Sequence, residues 1–179
     1  ENGAVFSHMA VMYANALYKR GFIKEGYKVL KNLLDSAMDF ENSIMYPGIP
    51  EYFDNDGRGL YAYLTGAASW YMLTMITEVF GVRGELGNLV IKPALLPEQF
   101  DKDGKAAIKL NFSGRTLKIT IHADIDNIQD NNGVYNKIIR VECDGNELES
   151  ADLKKVVIMK KRIEEMSCER CHEIDVFIK

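Results

Sequence analysis

The apolar period of this chain changes near Gly81. Before it, hydrophobic residues recur every three or four positions, as one face of a helix requires. After it they alternate every second position, as half-buried strands require. The reading is therefore α+β, with a helical part at 1–85 followed by an all-β part at 86–179.

Three helices are expected in the first part. Val5, Phe6, Met9, Met12, Tyr13, Ala16 and Leu17 form a stripe over about 5–20, which Gly21 ends. Tyr27, Leu30, Leu34 and Met38 form a second stripe over about 23–39, with lysines on the opposite face. A third helix, over about 65–80, is apolar almost all round (Ala67, Ala68, Trp70, Tyr71, Leu73, Met75, Ile76, Val79) and is expected to be buried on most sides. Between them, Glu41 to Tyr61 is rich in Pro, Gly, Asn and Asp and reads as irregular. Loops of about 20 residues inside compact domains are commonly functional.

The second part reads as about seven short strands in an antiparallel β-sandwich, jelly-roll-like, with no regular helix beyond about residue 88. Leu89–Ile91, Ala107–Phe112, Leu117–Ile121, Ile138–Cys143, Val156–Met159 and Glu173–Ile178 alternate as strands do. Ser113-Gly114 and Asp144-Gly145 read as hairpin turns.

Charge and composition exclude several classes. With 22 Lys+Arg against 26 Asp+Glu, the net charge of -4 argues against a nucleic-acid partner. No apolar run approaches the roughly 20 residues of a membrane span, so no membrane partner is expected. Three cysteines without framework spacing suit a reducing, cytoplasmic setting. Cys168-Glu-Arg-Cys171-His172, with Cys143, has the look of a metal motif, but a structural zinc site wants four well-spaced ligands. A turn between C-terminal strands is the reading, with no metal and no cofactor. The chain starts at Glu1 rather than at a methionine, as a piece of a longer protein would.

Three helices are too few to close a core alone. A helix pair, a long loop and a very apolar helix is the pattern that ends an (α/α)6 barrel. The first and third would be inner helices and the lysine-striped second an outer one. Inner helices run in one direction, so their N-termini share a mouth. Ser7-His8 then stands at one N-terminus and Thr65-Gly66 at another. Unpaired amides and the helix dipole make such ends anion sites, and Gly66 has no side chain to block approach. The plainer reading makes Ser7 and Thr65 ordinary N-caps and His8 a surface residue.

Glu1-Asn-Gly-Ala-Val-Phe-Ser-His8, then Tyr63-Leu-Thr-Gly-Ala-Ala-Ser-Trp70, then Gly81-Val-Arg83 and Leu89-Val-Ile-Lys-Pro93 together resemble the glycoside phosphorylases of glycoside hydrolase family 94. That family includes cellobiose, chitobiose and β-1,2-oligoglucan phosphorylases. The resemblance runs strongly from Glu1 to Pro93 and more weakly through the strands. It implies that His8 and Thr65, with the Gly66 amide, bind phosphate. The family has Gly, Trp and Thr where Ala4, Tyr63 and Ala67 stand here. It also implies a barrel-mouth position for the Glu41–Tyr61 loop, making Glu51, Tyr52 and Arg58 candidate sugar-binding residues.

The implied partners are inorganic phosphate and a disaccharide or oligosaccharide, in a parent enzyme that can form a homodimer. In the implied reaction a carboxylic acid protonates the departing glycosidic oxygen while phosphate attacks the opposite face of the anomeric carbon. The resemblance puts that acid, an aspartate, upstream of Glu1, so no catalytic residue is assigned within this chain. Two alternatives remain open: a non-catalytic carbohydrate-binding or assembly protein, and an inverting hydrolase of the same barrel architecture.

Overall fold

A computed structural model describes residues 3–46, 48–61, 66–123, 137–148 and 154–179. The chain divides into two compact units, Glu1–Met75 and Ile76–Lys179.

In the first unit, α1 (Ser7–Lys19) and α2 (Ile23–Met38) form a helical hairpin. Gly21, at φ 83, turns the chain between them, and the Gly21 and Phe22 amides donate to the Tyr18 and Leu17 carbonyls. The hairpin closes at Gly26, where an added Cβ would lie 2.6 Å from the Tyr18 ring. That close crossing decides which faces are buried, and it corrects both expected stripes. In α2 the buried set is Gly26, Leu30, Leu33 and Ala37, leaving Leu34 and Met38 exposed. In α1 it is Ser7, Val11, Ala14, Asn15 and Tyr18. Met9, Met12 and Tyr13 face solvent, Met9 at 63% exposure.

Among its described residues the Glu41–Tyr61 segment is irregular only in part, a correction to the expectation. It opens with the end of α3 (Phe40–Ser43) and contains β2 (Tyr52–Phe53) and β3 (Gly59–Leu60). These pair antiparallel with each other and with β1 (Val5–Phe6), in the order β1-β2-β3. Strands of two residues have no periodicity to read, and one partner of β2, the strand β1, lies far away in sequence. Between β2 and β3 the Asp54 carboxylate accepts from the Asp56 and Arg58 amides at 3.0 and 2.9 Å, which shapes the turn.

The third helix is α4 (Gly66–Thr74), continued by a π-helical turn at Met75–Val79. Its buried residues are Ala67 and Thr74, while Met72 and Leu73 are exposed, correcting the expected burial on most sides. α4 runs parallel to α1. His8 packs on Gly66 near both starts, and the Asn15 amide donates to the Thr74 hydroxyl at 3.1 Å farther along. From contact to contact both helices travel roughly the same length at about 1.5 Å per residue.

Among its described residues the second unit holds two sheets. In one, β4 (Val82–Glu85), β5 (Asn88–Ile91) and β10 (Val156–Ile158) pair antiparallel in the order β10-β5-β4. In the other, β6 (Lys105–Phe112), β7 (Arg115–Ala123), β8 (Ile138–Cys143), β9 (Asn146–Glu147) and β11 (Cys171–Ile178) take the order β6-β7-β11-β8-β9. β7 and β11 are parallel. The larger sheet is therefore mixed, a correction to the antiparallel expectation. Alternation has the same period in either pairing, so the sequence carries no sign of it. A short helix, α5 (Lys160–Glu165), and a turn of 3-10 helix at Pro97–Gln99 also interrupt the expected all-β part. Six residues are too few to display a helical period.

The turns follow their chemistry. Leu86-Gly87, Ser113-Gly114 and Asp144-Gly145 all carry positive φ at both residues, the type I′ geometry that matches strand twist. Leu117, Ile119, Ile121, Ile174, Val176 and Val141 are fully buried on one face of the larger sheet.

Candidate anion site at two helix N-termini

The local chain path around His8 explains its position. β1 runs straight into α1, and the Ser7 amide donates to the Glu51 carbonyl at 2.9 Å. One of the orphan amides of the first turn is thus satisfied by the strand neighbour. The Glu51 amide in turn donates to the Tyr61 carbonyl at 3.1 Å. Pairing of β1 with β2 therefore fixes where α1 begins, and packing of α1 on α4 fixes what lies beside it.

Gly66 is what lets the two helix starts meet. A Cβ on Gly66 would stand 2.4 Å from His8 Cε1 and 2.5 Å from Nδ1, well inside contact distance. The imidazole lies against bare backbone, and Trp70, one turn on, bounds it with ring centroids 6.0 Å apart. Any larger residue at this position would displace the ring.

Two polar atoms at this junction are buried and lack a hydrogen-bond partner among the described residues: Ser7 Oγ and His8 Nε2. Buried polar groups are almost always satisfied, so orphans mark a place where something else belongs. The N-cap expectation for Ser7 also fails. Phe6 occupies the cap position without a side-chain hydrogen bond, and Ser7 is the first helical residue. Thr65 lies outside the described residues.

The expected sugar-binding residues are distributed differently. Glu51 contributes its backbone to the α1 start, as above. Tyr52 lies in β2 with its ring 5.2 Å from Phe6 and 5.4 Å from Tyr61. Arg58 is exposed, and its amide serves the Asp54 turn. Sequence reasoning did not single out Phe6 and Tyr61 here. Phe6 reaches Tyr52 through the long-range β1–β2 pairing, and Tyr61 through the local β2–β3 hairpin.

In the other unit the polar cluster around Asp144 is structural in form. Its carboxylate accepts from His172 Nδ1 at 2.7 Å, Arg170 at 2.9 Å and the Glu173 amide at 3.0 Å. Burial alone would raise the Asp144 pKa, but the His172 hydrogen bond, the Glu173 amide and the nearby positive charges together hold it below the ordinary aspartate value. Cys143 is buried at the end of β8, and burial pushes its thiol upward, with the Asp144 charge adding to the effect. Cys168 and Cys171 are exposed free thiols, and the described residues contain no cluster of three or more candidate metal ligands.

No family model matches the chain. A similar curated protein is cellobionic acid phosphorylase from Neurospora crassa, which is 25% identical over 68% of this chain. The matched region spans only 16% of that protein's length. Among the described residues no helix is long and apolar enough to cross a membrane.

Proposed function

We propose that this chain carries the phosphate-binding part of an inverting glycoside phosphorylase of the family 94 kind. In this reading α1 and α4 are inner helices at the end of an (α/α)6 barrel, α2 is an outer helix, and the β unit is the sandwich that follows. The observation that carries it is the packing of the His8 ring on the Gly66 backbone at two parallel helix N-termini. Similarity to a phosphorylase supports the same reading from an independent direction. The exposed Met9, Met12, Tyr13, Met72 and Leu73 are the kind of surface that neighbouring barrel helices cover.

Phosphate is already an anionic nucleophile, so no carboxylate is needed to activate it. The task left to the protein is to hold a dianion in line with the anomeric carbon. Amides of the first helical turns, the dipoles of α1 and α4, and a His8 ring N–H suit that task. The resemblance assigns a further hydroxyl contact to Thr65, which lies outside the described residues. The general acid that protonates the leaving oxygen comes from outside this chain, which alone is therefore inert as an enzyme.

Calorimetric titration with inorganic phosphate tests the reading. His8→Ala should weaken phosphate binding roughly 10- to 100-fold, the value of a charge-assisted hydrogen bond. Equal binding by both proteins, or none by the unsubstituted chain, would sink it.

A further inference from the structure

The three-stranded sheet that positions α1 also carries an unexplained strip of aromatic rings. Phe6 and Tyr52 stand directly opposite each other in the β1–β2 register, with their rings 5.2 Å apart. Tyr61 extends the strip, 5.4 Å from Tyr52. Ordinary alternation would send the residue after Leu60, which pairs with Tyr52, to the other face of the sheet. Instead Tyr61 adopts φ 62, a left-handed conformation that costs a bulky side chain energy, and its ring reaches Tyr52. The rings are not hidden by the fold: Phe6 is 41% and Tyr61 52% exposed.

The backbone that carries Phe6 continues directly into the start of α1. Phe6 is followed by Ser7 and His8, so the ring-bearing backbone and the cradle are at most about 7.6 Å apart along the chain. Glu51 locks the two together, giving its carbonyl to Ser7 and its amide to the Tyr61 carbonyl. Resting on the phosphate reading above, we infer that Phe6, Tyr52 and Tyr61 form a stacking platform for the pyranose ring that phosphate attacks. A β-linked hexopyranose presents a face of axial C–H groups, which complements the negative face of an aromatic quadrupole. Phosphorolysis also requires that ring to sit next to the bound phosphate, at near-attack distance. Recognition on this side would thus be by shape and C–H contact, with the Glu51 and Arg58 backbones serving the scaffold.

Saturation-transfer NMR and titration with methyl β-D-glucopyranoside, run separately from titration with inorganic phosphate, test the platform. Tyr61→Asn removes the ring but tolerates the left-handed backbone. Tyr52→Ala removes the central ring, and Tyr52→Phe restores it. The expected result is an about tenfold loss of glucoside binding in Tyr61→Asn and Tyr52→Ala, recovery in Tyr52→Phe, and unchanged phosphate binding throughout. Glucoside binding unchanged by ring loss, or absent in the unsubstituted chain, would overturn the inference. A chain that binds glucoside through these rings but not phosphate would sustain the platform and remove the phosphorylase reading. His8→Ala should lower phosphate binding and leave the free glucoside unaffected.

Discussion

The two units bury different kinds of residue. In the β unit the interior is made of large aliphatic side chains: Leu117, Ile119, Ile121, Ile174 and Val176 are all completely buried. In the helical unit the most buried positions of α1 and α4 are small or polar, namely Ser7, Val11, Ala14, Asn15, Ala67 and Thr74. Tyr18, Leu30, Leu33 and Phe53 are buried, but Met9, Tyr13 and Met72 face outward. The β unit thus builds its core from large aliphatic side chains, with Leu86, Ile139, Val157 and Met159 left exposed. The helical unit keeps an uncovered apolar surface and, at one end, two buried polar atoms without described partners. Satisfied burial marks a scaffold, and unsatisfied burial marks where function is to be sought.

The largest expected effect sharpens the scaffold side. Gly81 sits at φ 67, and a Cβ there would fall 1.8 Å from the Lys92 carbonyl oxygen. Gly81→Ala should cost more than about 3 kcal/mol and erase amide protection in β4 and β5. Urea unfolding with hydrogen exchange measures it, and a mild effect would show that the β4–β5 corner is less constrained than its geometry implies.

A smaller loss is expected from Asp144→Asn, which keeps the shape of the turn but removes the charge that holds His172 and Arg170. The cost should be about 2 kcal/mol. The sign with pH follows from the lowered pKa of Asp144. Its stabilisation is fully present above the unfolded value of 3.8 and is lost as pH falls through the lower folded value. Denaturant midpoints followed down from neutral pH should decline more steeply below 3.8 in the unsubstituted protein than in Asp144→Asn. Parallel curves would deny Asp144 that role.

Much of this was legible in the sequence, and the failures share a cause. Helix ends near Gly21 and turns such as Ser113-Gly114 depend on local backbone chemistry, and they could be read directly. The site pair His8 and Gly66 was nominated by helix direction and by resemblance, and the structure brings these two residues into contact. The buried faces of α1 and α2 were misread because Gly26, by admitting Tyr18 so closely, rotates the contact toward Ala14 and Leu33. The parallel β7–β11 pair and the β1–β2 pair were illegible because each joins segments far apart in sequence, and β2 and β3 were too short to show alternation. Phe6 was read as part of the helical stripe rather than as a ring beside Tyr52, and Tyr61 was read only as the end of the loop.

The smallest expected effect separates a binding site from a packing site. Ser7 Oγ is buried without a described partner, so Ser7→Ala should be neutral or stabilising by up to about 1 kcal/mol. Thermal melts read this directly. A loss of about 1 kcal/mol or more would mean that the hydroxyl serves the fold.

The central claim is that the starts of α1 and α4 together hold a phosphate. Amide and imidazole NMR spectra, recorded during a phosphate titration at constant ionic strength, test it most directly. The account predicts saturable shifts of the Gly66 amide and the His8 ring nitrogens at a common midpoint, with β7 and β11 unmoved. Motionless His8 and Gly66 signals, or shifts that follow salt rather than phosphate, would contradict it.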